Sequence, residues 1–213
     1  MPKRLGKVSF LVGCLLMLVS SVGVASEGIE LVENGSFEIV NDKGEAVGFQ
    51  FWLANGDVEI VVTDEASRTG KNSVRISGTD KPRGSVTFRG DVTGGETYRF
   101  QVWYRYDIDG PWETPSGFPW MGHHVLMRLM VYNKDGKIPF SDAWIVDPNE
   151  GWYDVRVNMH VLPAPWEFGD PNEWALFSTT IKMPEDAIRV EVNLFNWFGE
   201  GKVYFDDLSV VKL

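Results

Sequence analysis

From residue 29 onward, the sequence is a series of short segments in which bulky apolar residues alternate with other residues, broken by Gly, Asn, Asp and Pro. A period of two is typical of strands with one buried face, and the punctuating residues mark turns. We find no convincing helix in this part of the chain. Ten strands are predicted, over Gly28–Val32, Val58–Thr63, Ser73–Ser77, Gly84–Arg89, Thr97–Asp107, Val125–Asn133, Gly151–Val161, Trp174–Lys182, Ala187–Asn196 and Lys202–Val211. The expected fold class is all-β, a sandwich or a barrel.

The first 25 residues have the composition of a secretory signal peptide. Three basic residues precede an apolar run from Val8 to Val24, and Gly23–Ala25 supplies small residues for cleavage. We therefore expect residues 1–25 to be a signal peptide and residues 26–213 to form one domain, secreted or at the cell surface. Two alternatives are an uncleaved membrane anchor, since the run nears the length needed to span, and lipidation at a lipobox-like segment ending in Cys14.

Charge and cysteine content narrow the choice of partners. The formal net charge of −10 argues against nucleic acid or an anionic membrane as the partner. The single cysteine lies in the predicted leader, so the exported domain has no disulfide and depends on its core, with a bound metal as an additional support.

All nine Trp follow residue 25. Some of them are expected to pack in the core, and their number also suits a protein that stacks aromatic rings on a planar, neutral ligand such as a sugar.

Three of the long predicted strands have an apolar face and an unusual second face. The apolar sets are Tyr98, Phe100, Val102 and Tyr104; Val125, Met127, Leu129 and Val131; and Ile188, Val190, Val192 and Leu194. The second faces combine Arg, Asn, Gln and aromatic rings, whereas an ordinary solvent face carries Thr, Lys, Glu and Ser. If the three strands share a sheet, these groups form an open surface of rings and forked hydrogen-bond donors. The candidate ligand-binding residues there are Gln101, Trp103, Arg105, Arg128, Glu191, Asn193, Phe195 and Trp197. The alternative is a scatter of surface residues.

Two predicted loops, 109–120 and 162–172, combine Pro, Gly and Trp. Because Pro stiffens a loop, its Trp can be held outward at little entropic cost. Trp112 and Trp120 are therefore candidates to wall a binding groove, and Trp144 is a further candidate. The alternative is that the loops fold down as lids over the ends of the sandwich.

The last predicted strand carries two adjacent carboxylates, Asp206 and Asp207. Neighbours on a strand point to opposite faces, so one of the two is expected to point into the protein or its edge, where a charge is costly unless paired or metal-bound. Glu38 provides an acidic match near the start of the chain. If the two ends lie side by side, Glu38 and one Asp would hold a calcium ion; otherwise the aspartates are the solvated ends of a strand.

An ordered series of short motifs runs through residues 33–211. The motifs are Asn34-Gly-Ser-Phe-Glu38, Trp52, Ser67-Arg-Thr-Gly-Lys-Asn-Ser73, Gly95-Glu-Thr-Tyr98 leading into Val102-Trp-Tyr104, and Val203-Tyr-Phe-Asp-Asp-Leu-Ser209. This series resembles the carbohydrate-binding modules of families four, nine, sixteen and twenty-two. The resemblance implies a jelly-roll β-sandwich of two antiparallel sheets that binds a polysaccharide or oligosaccharide without catalysis and carries a structural calcium.

The resemblance also implies which residues hold the calcium. The implied ligands are the carbonyl of Ser36, the carboxylate of Glu38, the carbonyl of Gly70 or Lys71, and the carboxylate of Asp206. Most modules of this type are attached to an enzyme, so an association with a glycan-degrading enzyme is implied as well. The stretch 107–173 is longer than the simplest members need, and its loops would extend or block the usual groove.

Two other classes of function remain open at this stage, because fold alone does not decide function. One is a small secreted glycosidase, which needs two facing carboxylates, or a lyase, which needs a base near an Arg that binds a uronate. The candidate residues for those reactions are Glu191 with Glu113, Glu167 or Glu173, and His123, His124, Tyr132 and Arg128. The other is a cell-surface domain with a protein partner, whose interface would be the Trp-rich face.

Overall fold

The computed structural model describes residues 28–54, 57–79, 82–107, 125–139, 141–146, 152–154, 159–161, 173–197 and 199–213. Within these ranges the strands are β1 (Ile29–Glu30), β2 (Phe49–Leu53), β3 (Glu59–Thr63), β4 (Ser73–Gly78), β5 (Arg83–Asp91), β6 (Thr97–Asp107), β7 (Val125–Asn133), β8 (Gly136–Ile138), β9 (Trp152–Asp154), β10 (Met159–Val161), β11 (Ala175–Lys182), β12 (Arg189–Trp197) and β13 (Gly201–Lys212), with one 3-10 helix, Asp142–Trp144. The predicted signal peptide lies outside the described residues. In the part of the chain that is described, no helix is both long enough and apolar enough to cross a membrane.

The strands form two antiparallel sheets. A six-stranded sheet has the order β11-β6-β13-β4-β3, and β1 pairs with β13 near its end. A seven-stranded sheet has the order β2-β5-β12-β7-β10-β9, and β8 pairs with β7. Some strands that follow one another in the chain, for example β5 and β6 or β12 and β13, lie in different sheets. The predicted jelly-roll β-sandwich of two antiparallel sheets is confirmed.

The core lies between the two sheets and is built from the predicted inward faces of the long strands. The buried members are Tyr98, Phe100, Val102 and Tyr104 of β6, Met127, Leu129 and Val131 of β7, and Val190, Val192 and Leu194 of β12. Ile188 was predicted in the same set, but it is 51% exposed because β12 begins one residue later. Each fully buried apolar side chain contributes about 1.5–3 kcal/mol, so these faces dominate the stability of the sandwich.

Two short strands were not predicted. β2 is the edge strand of the seven-stranded sheet; Phe49 and Phe51 pack against the core, and Gln50 and Trp52 alternate with them. β8 follows directly after the predicted turn at Asn133, which closes a hairpin with β7.

One predicted strand is divided in two. Where one strand was expected over 151–161, β9 and β10 pair antiparallel to each other. The four intervening residues, Val155-Arg-Val-Asn158, contain neither Gly nor Pro, and Asn158 alone is a weak turn signal.

A β-bulge separates the two adjacent aspartates of β13. The register with β6 shifts between Asp206 and Ser209, and Asp207 has a positive φ of 47°. Strict alternation would send the two carboxylates to opposite faces, but the bulge brings both onto the loop at Arg68 and Thr69. Asp206 is 0% exposed and Asp207 is partly exposed at the loop, so the expectation that one carboxylate points into the protein and the other faces solvent or a loop is confirmed; strict alternation did not predict that both bond the same loop.

The outer face of the six-stranded sheet carries a cluster of charges that pair with one another. The Glu65 carboxylate accepts hydrogen bonds from Arg75, from Lys202 Nζ at 3.0 Å and from the Tyr204 hydroxyl at 3.0 Å. The hydrogen bond from Arg75, followed by those from Lys202 and Tyr204, lowers the pKa of Glu65 to about 2. Glu59 binds the same Arg75 guanidinium.

Acid is expected to remove the stabilising effect of this cluster. The pKa of Glu65 in the folded protein lies below its ordinary value of 4.5, so its contribution is complete above pH 4.5 and is lost as the pH falls towards 2. Because the Glu65 side chain is 42% exposed, the contribution is only about 1 kcal/mol after screening. The check is the free energy of unfolding of wild type and Glu65→Gln at pH 7 and pH 3. The difference between them should shrink at pH 3, and a pH-independent difference would contradict the expectation.

Candidate functional site

A groove of about 460 Å³ lies on the outer face of the seven-stranded sheet. It is lined by residues from four adjacent strands, β2, β5, β12 and β7: Gln50, Phe51, Trp52, Ser85, Thr87, Arg89, Arg128, Met130, Glu191, Asn193, Phe195 and Trp197. Several of these side chains are buried even though they belong to an outer face. The groove therefore has a floor of ordered side chains rather than a mobile, solvated surface.

Strand register sets the groove residues in rows that run across the sheet. One row is polar, with Gln50 opposite Thr87, Thr87 opposite Asn193, and Asn193 opposite Arg128. Directly opposite residues on a face lie within side-chain reach, so this row forms a continuous line of hydrogen-bonding groups.

The neighbouring row is aromatic. Trp52 is 46% exposed, and its ring meets that of Phe195 edge-on, with centroids 6.3 Å apart. Phe195 also packs edge-on against Trp197 at 5.5 Å. Phe195 itself is only 3% exposed, so its ring supports the two indoles and has almost no surface of its own for a ligand. Trp52 thus presents the most exposed ring of this row.

One carboxylate, Glu191, lies on the groove floor and is held by its neighbours. Arg89 Nε donates to Glu191 Oε1 at 2.7 Å, and the Tyr132 hydroxyl donates to Oε2 at 3.0 Å. Burial, and then the hydrogen bond to Glu191, raise the pKa of Tyr132 above its ordinary value, so this hydroxyl stays protonated as a donor. Arg189 Nη2 lies 3.9 Å from Oε1 and adds a second positive charge. Both oxygens of this carboxylate are therefore engaged by neighbouring side chains.

Five predicted binding residues lie in this groove: Arg128, Glu191, Asn193, Phe195 and Trp197. The other three predicted strand residues, Gln101, Trp103 and Arg105, belong to β6, which lies in the six-stranded sheet. The expectation that all three long strands share one sheet is wrong. Parity along a strand shows which residues share a face, but it carries no information on which sheet the strand joins.

On the outer face of the six-stranded sheet, the β6 residues contact other side chains. The Arg68 guanidinium lies over the Trp103 ring, 3.8 Å from its centroid. Gln101 Nε2 donates to Ser178 at 3.2 Å. The Arg105 guanidinium lies 5.9 Å from the centre of the Tyr204 ring. Trp103 is thus covered on one ring face by an arginine that is itself bonded to Asp207.

Of the remaining predicted tryptophans, Trp144 is described, and it is not among the groove residues. Trp112 and Trp120 lie outside the described residues. Trp144 lies in the 3-10 helix and is partly buried against the core, next to Ile145, which bridges to Ile181 of β11. That position is at the edge of the six-stranded sheet.

Sequence reasoning missed the contribution of β2 and β5 to the groove, above all Gln50, Trp52, Thr87 and Arg89. A usable signal was present, because Phe49-Gln-Phe-Trp-Leu53 places Gln50 and Trp52 on the face opposite two phenylalanines. In β5, five consecutive residues from Gly84 to Phe88 are buried, so both of its faces are covered and simple alternation does not show the outer one.

Four of the residues predicted to hold calcium, Glu38, Gly70, Lys71 and Asp206, lie in or contact the loop at residues 68–72, away from the groove. Glu38 Oε1 accepts from the backbone N–H groups of Lys71 at 2.8 Å and Asn72 at 2.7 Å. Asp206 Oδ2 accepts from the N–H groups of Arg68 at 2.7 Å and Thr69 at 3.2 Å. The two ends of the chain and this loop therefore meet, as the sequence predicts.

The donor set at this junction fits a hard cation. Asp206 is 0% exposed, and its burial raises its pKa to about 6, while three backbone N–H groups act in the opposite direction. The Arg68 guanidinium bonds Asp207 rather than Asp206. Among the described residues, no group of three or more His, Cys, Asp or Glu side chains comes together, so a calcium ion there would need backbone carbonyls to complete its six to eight ligands.

Replacing Gly70 by alanine is expected to lower the stability of the folded protein by disturbing this junction. Its φ is +58°, and a Cβ there would lie 2.8 Å from Glu38 Cδ, so Gly70→Ala meets both backbone strain and a held carboxylate. The matched control is Gly44→Ala, because Gly44 has a φ of +77° and nothing within 4 Å of the added Cβ. Chemical denaturation should show a loss of about 1 kcal/mol for Gly44→Ala and at least twice that for Gly70→Ala. Equal losses would mean that crowding at Glu38 is unimportant.

No protein-family model matches the sequence, and no curated protein matches it. The fold, in contrast, has counterparts among solved structures. The enzymatically active domain of tailspike protein 4 of bacteriophage CBA120 superposes with a TM-score of 0.60 and 13% identity, covering 87% of this chain and 22% of the tailspike chain. This chain therefore spans about a fifth of the length of that relative.

Two further structures have the same fold. A family 16 carbohydrate-binding module superposes with a TM-score of 0.51 and 15% identity, covering 85% of this chain and 99% of the module. An arabinose-bound α-L-arabinofuranosidase superposes with a TM-score of 0.51 and 16% identity, covering 89% of this chain and 27% of that enzyme. At these identities the likeness establishes the fold: the β-sandwich of this chain is the one found alone in a carbohydrate-binding module and as one part of larger proteins.

Proposed function

We propose that this protein binds a polysaccharide or oligosaccharide in the groove on the seven-stranded sheet and does not cleave it. The observation that carries the proposal is a row of aromatic rings, with Trp52 46% exposed, beside a row of hydrogen-bonding side chains in the groove. A pyranose has an apolar ring face and a rim of hydroxyls, which are the two chemistries that such rows offer. The family 16 carbohydrate-binding module, with the same fold over its whole length, supports the proposal.

In the proposed complex, Trp52 and Trp197 stack on sugar rings, with Phe195 fixing their positions from below. Asn193 and Gln50 bond to hydroxyls, since an amide offers both a donor and an acceptor. The groove is already formed, with its floor residues held in mutual contacts, so little side-chain entropy is lost on binding.

We favour binding without cleavage because the described residues of the groove do not provide a pair of carboxyl groups. A glycosidase of the usual kind needs two carboxyl groups on either side of the scissile bond. Glu191 is the one carboxylate among the described residues that line the groove, and Arg89 and Tyr132 already occupy its oxygens. The tailspike and the arabinofuranosidase share only the fold with this chain.

Three further elements of the proposal concern the protein as a whole. We propose a structural calcium held by Glu38 and Asp206 with carbonyls of Ser36 and of Gly70 or Lys71, since these segments meet in the fold. The ion would stabilise the junction between the two ends of the chain and take no part in binding. We also propose that the protein is exported by its first 25 residues and acts beside a glycan-degrading enzyme.

The test is calorimetric titration of the purified protein with soluble glucans, mannans, xylans and uronic-acid polymers, with the same mixtures assayed for new chain ends. Saturable heat without new ends would establish a binding protein and its ligand class. New chain ends would make it an enzyme and direct attention to Glu191. Absence of both would overturn the proposal and favour a protein partner.

A further inference from the structure

The charges in the groove are not balanced. Among the described residues, its lining includes the guanidinium groups of Arg89 and Arg128 but a single carboxylate, that of Glu191, in a chain whose net charge is −10. Glu191 is engaged by Arg89 at 2.7 Å and by the Tyr132 hydroxyl at 3.0 Å. The groove thus retains a positive charge on Arg128 that its own carboxylate does not neutralise by direct contact.

The Arg128 guanidinium is held in place without a counter-ion. It lies over the Phe195 ring, 5.0 Å from the centroid, and none of the described carboxylates comes within ion-pair distance of it. Its Nε atom is buried and has no hydrogen-bond partner in the described structure. Burial lowers the pKa of Arg128 below its ordinary value, while Tyr132 and the Glu191 carboxylate act in the opposite direction. A charge in this situation is costly until an anion reaches it.

Asn193 supplies a second donor in the same place. It lies directly opposite Arg128 in the β12–β7 register and is 5% exposed. The Thr87 hydroxyl donates to Asn193 Oδ1 at 3.0 Å, which leaves the amide nitrogen as the group without a partner. Among the described residues, Asn193 Nδ2 is a buried donor with no acceptor. Two adjacent groups on the groove floor, one of them charged, therefore lack an acceptor.

We propose that the ligand is an acidic glycan and that Arg128 and Asn193 bind the carboxylate of one of its uronic acid residues. This inference rests on the proposed function and names its substrate class. A carboxylate only accepts hydrogen bonds, and its two oxygens match the planar fork of a guanidinium. A hydroxyl of a neutral sugar would satisfy one donor but would leave the charge of Arg128 uncompensated.

The test compares each acidic glycan with its own neutral form, so that only the charge differs. The probes are glucuronoxylan, polygalacturonate and polymannuronate, each before and after reduction of its carboxyl groups to primary alcohols, with neutral glucan, mannan and xylan alongside. Titration of wild type should show at least tenfold tighter binding of one acidic glycan than of its reduced form. The preference should weaken as salt is added, because it is electrostatic.

The variants assign that preference to a residue. Arg128→Gln should abolish the difference in affinity between the acidic glycan and its reduced form. Arg128→Lys keeps a charge without the fork and should restore part of the preference. Arg105→Gln is the matched control, since Arg105 is a guanidinium on the opposite sheet, and it should leave the preference unchanged.

The results distinguish a failure of this inference from a failure of the proposed function. Equal affinity of wild type for acidic and reduced glycans would overturn this inference and leave the proposed function standing. A preference that survives in Arg128→Gln would overturn the assignment to Arg128. If no probe binds, acidic or neutral, both the inference and the proposed function fail.

Discussion

Replacing Trp52 by alanine is expected to weaken glycan binding tenfold or more, which corresponds to about 1.4 kcal/mol. Trp52 is 46% exposed beside the groove, and its indole offers the largest accessible ring surface in the aromatic row. Because β2 is an edge strand and the ring is half-exposed, the free energy of unfolding should change by about 1 kcal/mol or less. Calorimetric titration with the tightest-binding glycan and thermal unfolding of the same samples measure the two effects.

Two controls make the Trp52 experiment specific. Trp52→Phe keeps an aromatic face and should retain much of the affinity that Trp52→Ala loses. Trp103→Ala removes a ring from the outer face of the other sheet, where Arg68 lies over it, and should leave affinity unchanged. Normal binding by Trp52→Ala together with weak binding by Trp103→Ala would move the site to the six-stranded sheet.

Replacing Asp206 by asparagine is expected to cost about 3 kcal/mol of folding free energy. The buried carboxylate accepts three backbone N–H groups, from Arg68 at 2.7 Å, Thr69 at 3.2 Å and Asp207 at 2.7 Å. An amide turns one acceptor into a donor that faces other donors, and each buried group left unsatisfied costs about 1–3 kcal/mol. For a domain of this size, the melting temperature should fall by about 10 °C.

The Asp206 variant also tests the proposed calcium. A chelator should lower the melting temperature of wild type, which loses roughly 3 kcal/mol if the ion was at a hundredfold excess over its dissociation constant. It should have no effect on Asp206→Asn, and Asp207→Asn should behave nearly as wild type because Asp207 is partly exposed and bonds only side chains of the loop. Equal responses of wild type and Asp206→Asn would refute the assignment of calcium to this carboxylate.

The sequence predicted what depends on neighbours along the chain. Alternation along β6, β7 and β12 is a local property of a pleated strand, so the buried sets, such as Val190, Val192 and Leu194, were correct. Glu38 and Asp206, which are far apart in the chain, both bond the loop at residues 68–72, and the calcium implied there stays a prediction.

What the sequence did not reveal depends on how strands combine. β6 and β7 are consecutive but lie in different sheets, so residues with the same chemistry were assigned to one surface when they form two. β5 is buried on both faces between β2 and β12, and its polar groove residue Thr87 is hidden within an apolar run. The bulge at Asp207 lets both carboxylates bond the same loop, and no glycine in the sequence marks it.

The central position of β13 in the six-stranded sheet constrains when the protein can fold during its synthesis. β13 pairs with β6, β4 and β1, yet it follows all of them in the chain. Until Gly201–Lys212 has been synthesised, β6 and β4 each lack a neighbour on one edge, and β1 lacks the strand with which it pairs. The sheet is then in two separate parts, β11 with β6 and β4 with β3. The sheet thus assembles late, through contacts distant in sequence, and a chain that stalls before residue 201 exposes strand edges that favour aggregation.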